Sequence, residues 1–275
     1  MRMCACRGTA GFAHVSCLAE QAKILMDEAE ENNLDGKRWS SRWERWYTCS
    51  LCEQMYHGHV YCALGWACWK TYLARPETDV NRRAAMTDLG SGLSAAQRHE
   101  EALSVRETEL SIERRIGAPE GVILITQNNL ANSYQLLGML EKALITRRVV
   151  YSGSLKLYGE EHEHTLAPAT NYAVSLMNLK RYEETKTLFR KTLPIVQRVL
   201  GENNELVFRI KKLYAEALYL DTGATLDDLR EAMTTLEETA RTARRVLGGA
   251  HPMTGAVESK MRDAQAALRA REDSV

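Results

Sequence analysis

Three cysteines and a histidine crowd the stretch Cys4 to Cys17, "CACRGTAGFAHVSC", and a CxxC follows at Cys49 and Cys52. Thiolate and imidazole at such spacings are ligands for zinc, which takes four sulfur or nitrogen donors in a tetrahedron; two donors one to four residues apart can reach it from one turn. Cys4 with Cys6, His14 with Cys17 and Cys49 with Cys52 make three such pairs, and Gly8 and Gly11 suit the tight loop between the first two. Other chemistries find less support. Neither CxC nor CxxC lies in the strand-then-helix setting that activates a redox thiol. No phosphate-cradling glycine loop ends in Lys and Ser or Thr, and no histidine pair has helical protease spacing. The two histidines of "HEHT", His162 and His164, fall in a turn by the register of the chain. No catalytic residue is assigned.

The donors need elements to hold them, and composition divides the chain. All seven cysteines and all five tryptophans lie before residue 70. The division expected is 1–78 for a metal-binding module and 79–275 for the rest. Thirty-six basic and thirty-six acidic side chains cancel, so no global field draws nucleic acid or an anionic membrane. The most apolar stretch, "VYCALGWACW", is too short to span a bilayer, and the start lacks the build of a secretory signal. A soluble, non-secreted protein of a reducing compartment, cytoplasm or nucleus, is expected, where clustered cysteines bind metal more often than they pair.

The remainder repeats. Asn129, Leu130 and Ala131 are matched by Asn171, Tyr172 and Ala173, and again by Leu213, Tyr214 and Ala215; Gly117, Gly159 and Gly201 keep the same step of 42. Gly248 comes five residues late, the surplus falling in a turn from Asp221 to Asp228. Each unit reads as two amphipathic helices, with Leu130, Tyr134 and Leu137 on one, Ala143, Leu144 and Val150 on the next, and Gly138 as a stop between them. With closings such as "LYGEEHEHTL", residues 85 to 255 resemble tetratricopeptide repeats of the kinesin-light-chain kind, Thr185 standing where that pattern has a small alanine. The resemblance implies an α-solenoid with a peptide-sized groove, closed by a polar-faced helix from Met253 to Arg271. Asn128, Asn132 and Gln135 are then expected to face the groove and clamp a peptide backbone, with Val174 and Met177 at the matching places of the next repeat.

The front third has its own resemblance. "CxCx7HxxC" followed by CxxC resembles the RING-CH zinc finger of ubiquitin ligases, in which eight ligands hold two zincs in a crossed arrangement. Carried over, Cys4, Cys6, Cys49 and Cys52 form one complete site and His14 with Cys17 half of another. The partner pair of that half would lie before Met1, so it belongs to a longer transcript or is replaced. His57, His59, Cys62 and Cys68 are the nearby candidates for replacement, though Cys62 and Cys68 are expected as buried thiols on a helix with Trp66, Trp69 and Tyr72. The insert between Cys17 and Cys49 reads as an acidic helix, a turn at Asp35 and Gly36, and the segment "RWSSRWERWY" with Trp39, Trp43 and Trp46 turned inward.

The expected fold is mainly α: a small zinc-binding RING-like module followed by a solenoid of tetratricopeptide helix pairs. The function expected is a zinc-binding scaffold for protein–protein interaction, its groove taking a protein or peptide. The alternative is a ubiquitin ligase whose zinc module recruits a ubiquitin-conjugating enzyme while the repeats select substrate. The whole chain also resembles multi-copy repeat proteins of single-celled algae that carry this finger before the repeats. Neither nucleic acid nor membrane is an expected partner.

Overall fold

The computed structural model describes residues 14–273, so Cys4 and Cys6 lie outside the described residues. Among the described residues there are twelve α-helices and no β-strand, the β contact being an isolated antiparallel bridge between Thr48 and Met55. The chain divides into two compact units, Met1–Met139 and Leu140–Val275.

In the first unit, α1 (Val15–Glu31) buries Ala22, Met26 and Ala29, whose spacing of four and three puts them on one helix face. That face meets an aromatic core. Trp43, at the end of α2 (Gly36–Trp43), and Trp46, in the 3₁₀ turn that follows, are buried with Cys68 and Tyr72 of α3 (Gly58–Tyr72). Trp39 stacks on Trp43 at 5.1 Å and Trp46 meets Tyr72 edge-on at 6.3 Å, so the tryptophans of this segment are spent on packing. Trp66 and Trp69 are only half-buried; the deepest tryptophan is Trp46.

Helix α4 (Val80–Ala95) starts at Asp79, whose carboxylate accepts the N–H of Arg82 at 2.8 Å. It lies against α3 at backbone contact. A Cβ on Gly92 would sit 2.8 Å from the carbonyl oxygen of Tyr61, and one on Gly65 3.0 Å from that of Asp88; any larger residue at Gly92 must push the helices apart. Polar ties join α1 and α2 to α4 and to the connection before it. Arg75 pairs bidentately with Glu30 at 2.7 and 3.0 Å, Asn81 donates to the same carboxylate, and the Trp43 indole N–H donates to Asp88 at 2.8 Å. The change of composition at 78/79 falls in the connection between α3 and α4. Helices α5 (His99–Arg115) and α6 (Glu120–Leu136) follow, each packed on the one before. A bidentate pair of Arg83 with Glu113, at 2.7 and 2.8 Å, joins α4 to α5.

The second unit runs through α7 (Leu140–Tyr158), α8 (Glu163–Asn178), α9 (Tyr182–Leu200), α10 (Glu205–Leu220), α11 (Leu226–Leu247) and α12 (Pro252–Glu272). Sequence neighbours pack together, and α10 also touches α8 and α12, the two-step contact by which stacked helix pairs build a solenoid. Leu166, Ala173, Phe189, Val196, Ile210, Leu218, Leu236 and Val257 join in one buried cluster. Gly159, Gly201 and Gly248 have φ of 83°, 80° and 89° with open space beside them, so backbone conformation rather than crowding calls for glycine. Thr185 is fully buried and its hydroxyl donates to the Arg181 carbonyl at 3.0 Å, which satisfies a polar atom at an alanine's place. The lengthened turn is shorter than the sequence suggests. It covers 221–225, because Asp228 already belongs to the first turn of α11, where it forms a capping box with Thr225.

Candidate functional site

The CxxC at Cys49 and Cys52 forms the tip of a small hairpin. Below the tip, the Tyr56 N–H donates to Tyr47 at 2.8 Å and the Cys49 N–H to Gln54 at 2.9 Å; at the tip, the Glu53 N–H returns to the Cys49 carbonyl at 2.9 Å. Glu53 takes the left-handed conformation, φ 55°, that closes so tight a loop. The Leu51 N–H points at the Cys49 sulfur at 3.5 Å. The thiolate is the form of cysteine that binds metal, and a backbone N–H beside the sulfur is a donor to it. Cys49 is buried, Cys52 half-buried, and Leu51 stands out at the tip, 75% exposed.

His14 is the residue before α1 and Cys17 lies in its first turn, with the sulfur 4.0 Å from His14 Nδ1. Two tetrahedral ligands with bonds of about 2.1 and 2.3 Å lie about 3.6 Å apart, so the exposed pair is within a small adjustment of sharing one ion. Val15, Leu18 and Ala19 beside it pack into the same small core as Cys49, Cys52, Tyr56, Val60 and Leu64. The structure thus brings the elements carrying the second and third donor pairs onto one core. Among the described residues no three His, Cys, Asp or Glu side chains form a group that could hold a metal; the first pair, Cys4 and Cys6, is outside them.

The proposed substitutes divide by environment. Cys62 is buried against Leu89 and Leu93, its sulfur 3.8 Å from an Arg98 guanidinium nitrogen. Cys68 is sealed among Trp43, Trp46 and Tyr72, where burial and then the Asp88 charge push its thiol up. Both belong to the core. His57 and His59 are exposed at the start of α3.

On α6, Asn128, Asn132 and Gln135 share one face by their spacing of four and three. Asn132 is exposed, the other two half-buried, and the Gln135 side-chain oxygen is buried without a hydrogen bond. In the second unit, Val174 and Met177 of α8 pack partly into the core. Sequence reading passed over the buried charges, among them Arg147 and Asp88. Arg147 of α7 donates to the Asn171 carbonyl at 2.9 Å and the Ser175 hydroxyl at 3.0 Å, and burial, helped by the Arg209 charge, lowers its pKa to about 10. Its spacing of four from Ala143 and three from Val150 was the available signal. Asp88, held by Trp43, has its pKa raised to about 7 by burial, opposed by that hydrogen bond and reinforced by Glu109. Nothing local marked it.

Comparison with known proteins places the fold. A tetratricopeptide repeat family model matches residues 165–205. The chain is similar to the crystal structure of the kinesin-light-chain-type, nearly identical TPR-like repeats of Podosopora anserina, with a TM-score of 0.55 and 17% identity over 85% of this chain and 98% of that one. It is also similar to BtubC (BKLC) of P. vanneervenii, with a TM-score of 0.55 and 13% identity over 95% and 91% of the two chains. The apo form of RapI gives a TM-score of 0.54 and 13% identity, covering 93% and 85%. No curated protein matches the sequence. Similarity at these identities speaks to fold, and with the 42-residue step and the packing of α7 to α12 it shows a helical protein built on tetratricopeptide repeats, with neighbours of the kinesin-light-chain kind.

Proposed function

We propose that the chain is a scaffold for protein–protein interaction whose amino-terminal module is held by zinc. The observation that carries the scaffold reading is the stack of helix pairs in register with the repeat, a fold that presents surface rather than a reaction centre. A protein or peptide partner is the expected ligand, with Asn128, Asn132 and Gln135 offering amide groups to an extended backbone. Replacing all three by alanine is expected to weaken capture of an isolated peptide ligand at least tenfold with the helical circular dichroism retained. Unchanged affinity would remove α6 from the interface.

Zinc would be held by Cys4, Cys6, Cys49 and Cys52, with His14 and Cys17 as half of a second site. The thiol-directed amide at Cys49 and the 4.0 Å separation of His14 and Cys17 support that donor set. The metal would fix loops too small to fold on a hydrophobic core alone, a structural role that suits a reducing compartment, cytoplasm or nucleus. Among the described residues no helix is long and apolar enough to cross a membrane.

Leu51 favours a second reading, that of a RING-CH-type ubiquitin ligase. An apolar side chain 75% exposed at the tip of the CxxC hairpin is a knob for a protein such as a ubiquitin-conjugating enzyme. Such an enzyme acts by positioning and needs no nucleophile of its own. Ubiquitin transfer in a reconstituted assay, abolished by Leu51→Ala with zinc content unchanged, is the expected behaviour. No transfer with any conjugating enzyme returns the protein to the scaffold class.

A further inference from the structure

Three arginine–tryptophan neighbours follow one another in α2 and the 3₁₀ turn after it: Arg38 with Trp39, Arg42 with Trp43, Arg45 with Trp46. Steps of four and three keep like residues on one side of a helix, and a step of one turns by about 100°, so the segment carries two stripes side by side. The tryptophan stripe faces the core, Trp43 and Trp46 buried and Trp39 packed against them. The arginine stripe runs beside it at the surface, with Arg38 exposed and Arg42 and Arg45 half-buried.

Helix α1 carries the opposite charge at the same steps. Ala22, Met26 and Ala29 take its inner face. Glu20, Ile24, Asp27 and Glu31, spaced four, three and four, fall on the outer one, and all are exposed, Ile24 at 49%. Ion pairing in this region runs elsewhere, Arg75 taking Glu30 and Asp79. Among the described residues, neither the arginines of the one stripe nor the carboxylates of the other form an ion pair.

We propose that these stripes dock on each other between two copies of the chain. Read in opposite directions, the spacings coincide. Glu31 then meets Arg38, Asp27 meets Arg42, and Arg45 lays its methylenes over Ile24 with its guanidinium toward Glu20. A two-fold axis makes the contact twice, α1 on α2 and α2 on α1, and so closes the assembly at a dimer.

Charge complementarity favours a second copy over other occupants. The phosphates of a nucleic acid suit the arginines but are repelled by the acidic stripe on the neighbouring helix. An acidic peptide answers only the arginines. This chain supplies both signs, at matching steps. Exposed ion pairs are individually weak, so the dimer is weak and comes apart as salt screens the charges. Under the scaffold reading, two copies bring two repeat arrays, which hold a partner with two ligand segments more tightly than either array alone.

Sedimentation equilibrium of the full chain tests the contact with no ligand present, so the result does not depend on what the repeats bind. At low salt the mass is expected to rise with concentration toward twice 31.1 kDa, and the association constant to fall at least tenfold between about 50 and about 500 mM salt. Arg38→Glu with Arg42→Glu, and separately Asp27→Arg with Glu31→Arg, should each give a monomer with the helical circular dichroism retained. The chain carrying all four changes, in which the signs are exchanged, should dimerise again. A wild type that stays monomeric at low salt overturns the proposal. So does association lost with only one of the double variants, which would put the complement on another surface, or association that the four-fold exchange fails to restore.

Discussion

Asp88 shows how much a single residue's surroundings decide. Its carboxyl is buried between α3 and α4, with Trp43 donating one hydrogen bond and Glu109 nearby. Taking a carboxylate out of water disfavours its charged form, and burial raises the pKa to about 7, well above the ordinary range of about 3.9. In the window between those values the folded protein holds a proton that the unfolded chain has released. This contribution to stability is greatest below about pH 4 and falls as pH rises to about 7. Asp88→Asn keeps an acceptor for Trp43 and removes the charge. Chemical denaturation should find the variant more stable than the wild type at pH 8, by on the order of 1 to 3 kcal/mol, with the advantage vanishing near pH 4. A wild type as stable as the variant at pH 8 would show Asp88 to be neutralised another way. No sequence pattern announced this residue, since an aspartate two positions before a glycine on a helix ordinarily reads as solvated. The metal proposal starts from cysteine and histidine at short spacing, a pattern that stands out in sequence because it is rare.

Among the elements, the repeat helices were the most readable part. Small and apolar residues recur every three or four positions, and left-handed glycines close the units at 117, 159 and 201. Less readable was the junction at the front. Composition changes near residue 78, yet α3 and α4 touch at backbone distance through Gly65 and Gly92, and Glu30 of α1 reaches Arg75 and Asn81. The sign was present in the glycines of "ALGW" and "LGSG", but helical glycine by itself does not say what approaches it. The two glycines of α4 make a matched test. Gly92→Ala sets a Cβ 2.8 Å from the Tyr61 carbonyl, whereas Gly90→Ala meets only the Arg106 side chain at 3.4 Å. Thermal melts should show Gly92→Ala losing on the order of 1 to 3 kcal/mol and Gly90→Ala neutral or up to about 1 kcal/mol more stable. Equal effects would mean the helices do not approach as closely. The same contacts predict that removing residues 1–78 lays bare the α4 face built on Leu89 and Leu93, so the shortened protein should aggregate or melt earlier than the full chain.

At the scale of the molecule, tetratricopeptide repeats account for the helix pairs of the second unit, and the zinc proposal concerns the cysteines and histidines near the start of the chain. Fold class followed from period and composition. Which donors share an ion depends on loops whose conformation the metal itself would set, and such loops leave no periodic trace. Metal content is therefore the deciding quantity. Protein purified without added metal is expected to carry about one zinc per chain by elemental analysis, and Cys49→Ser with Cys52→Ser to carry almost none while the repeats keep their helical signal. A wild-type chain free of zinc, or a double variant that still holds it, would contradict the assignment of the CxxC hairpin as a metal site.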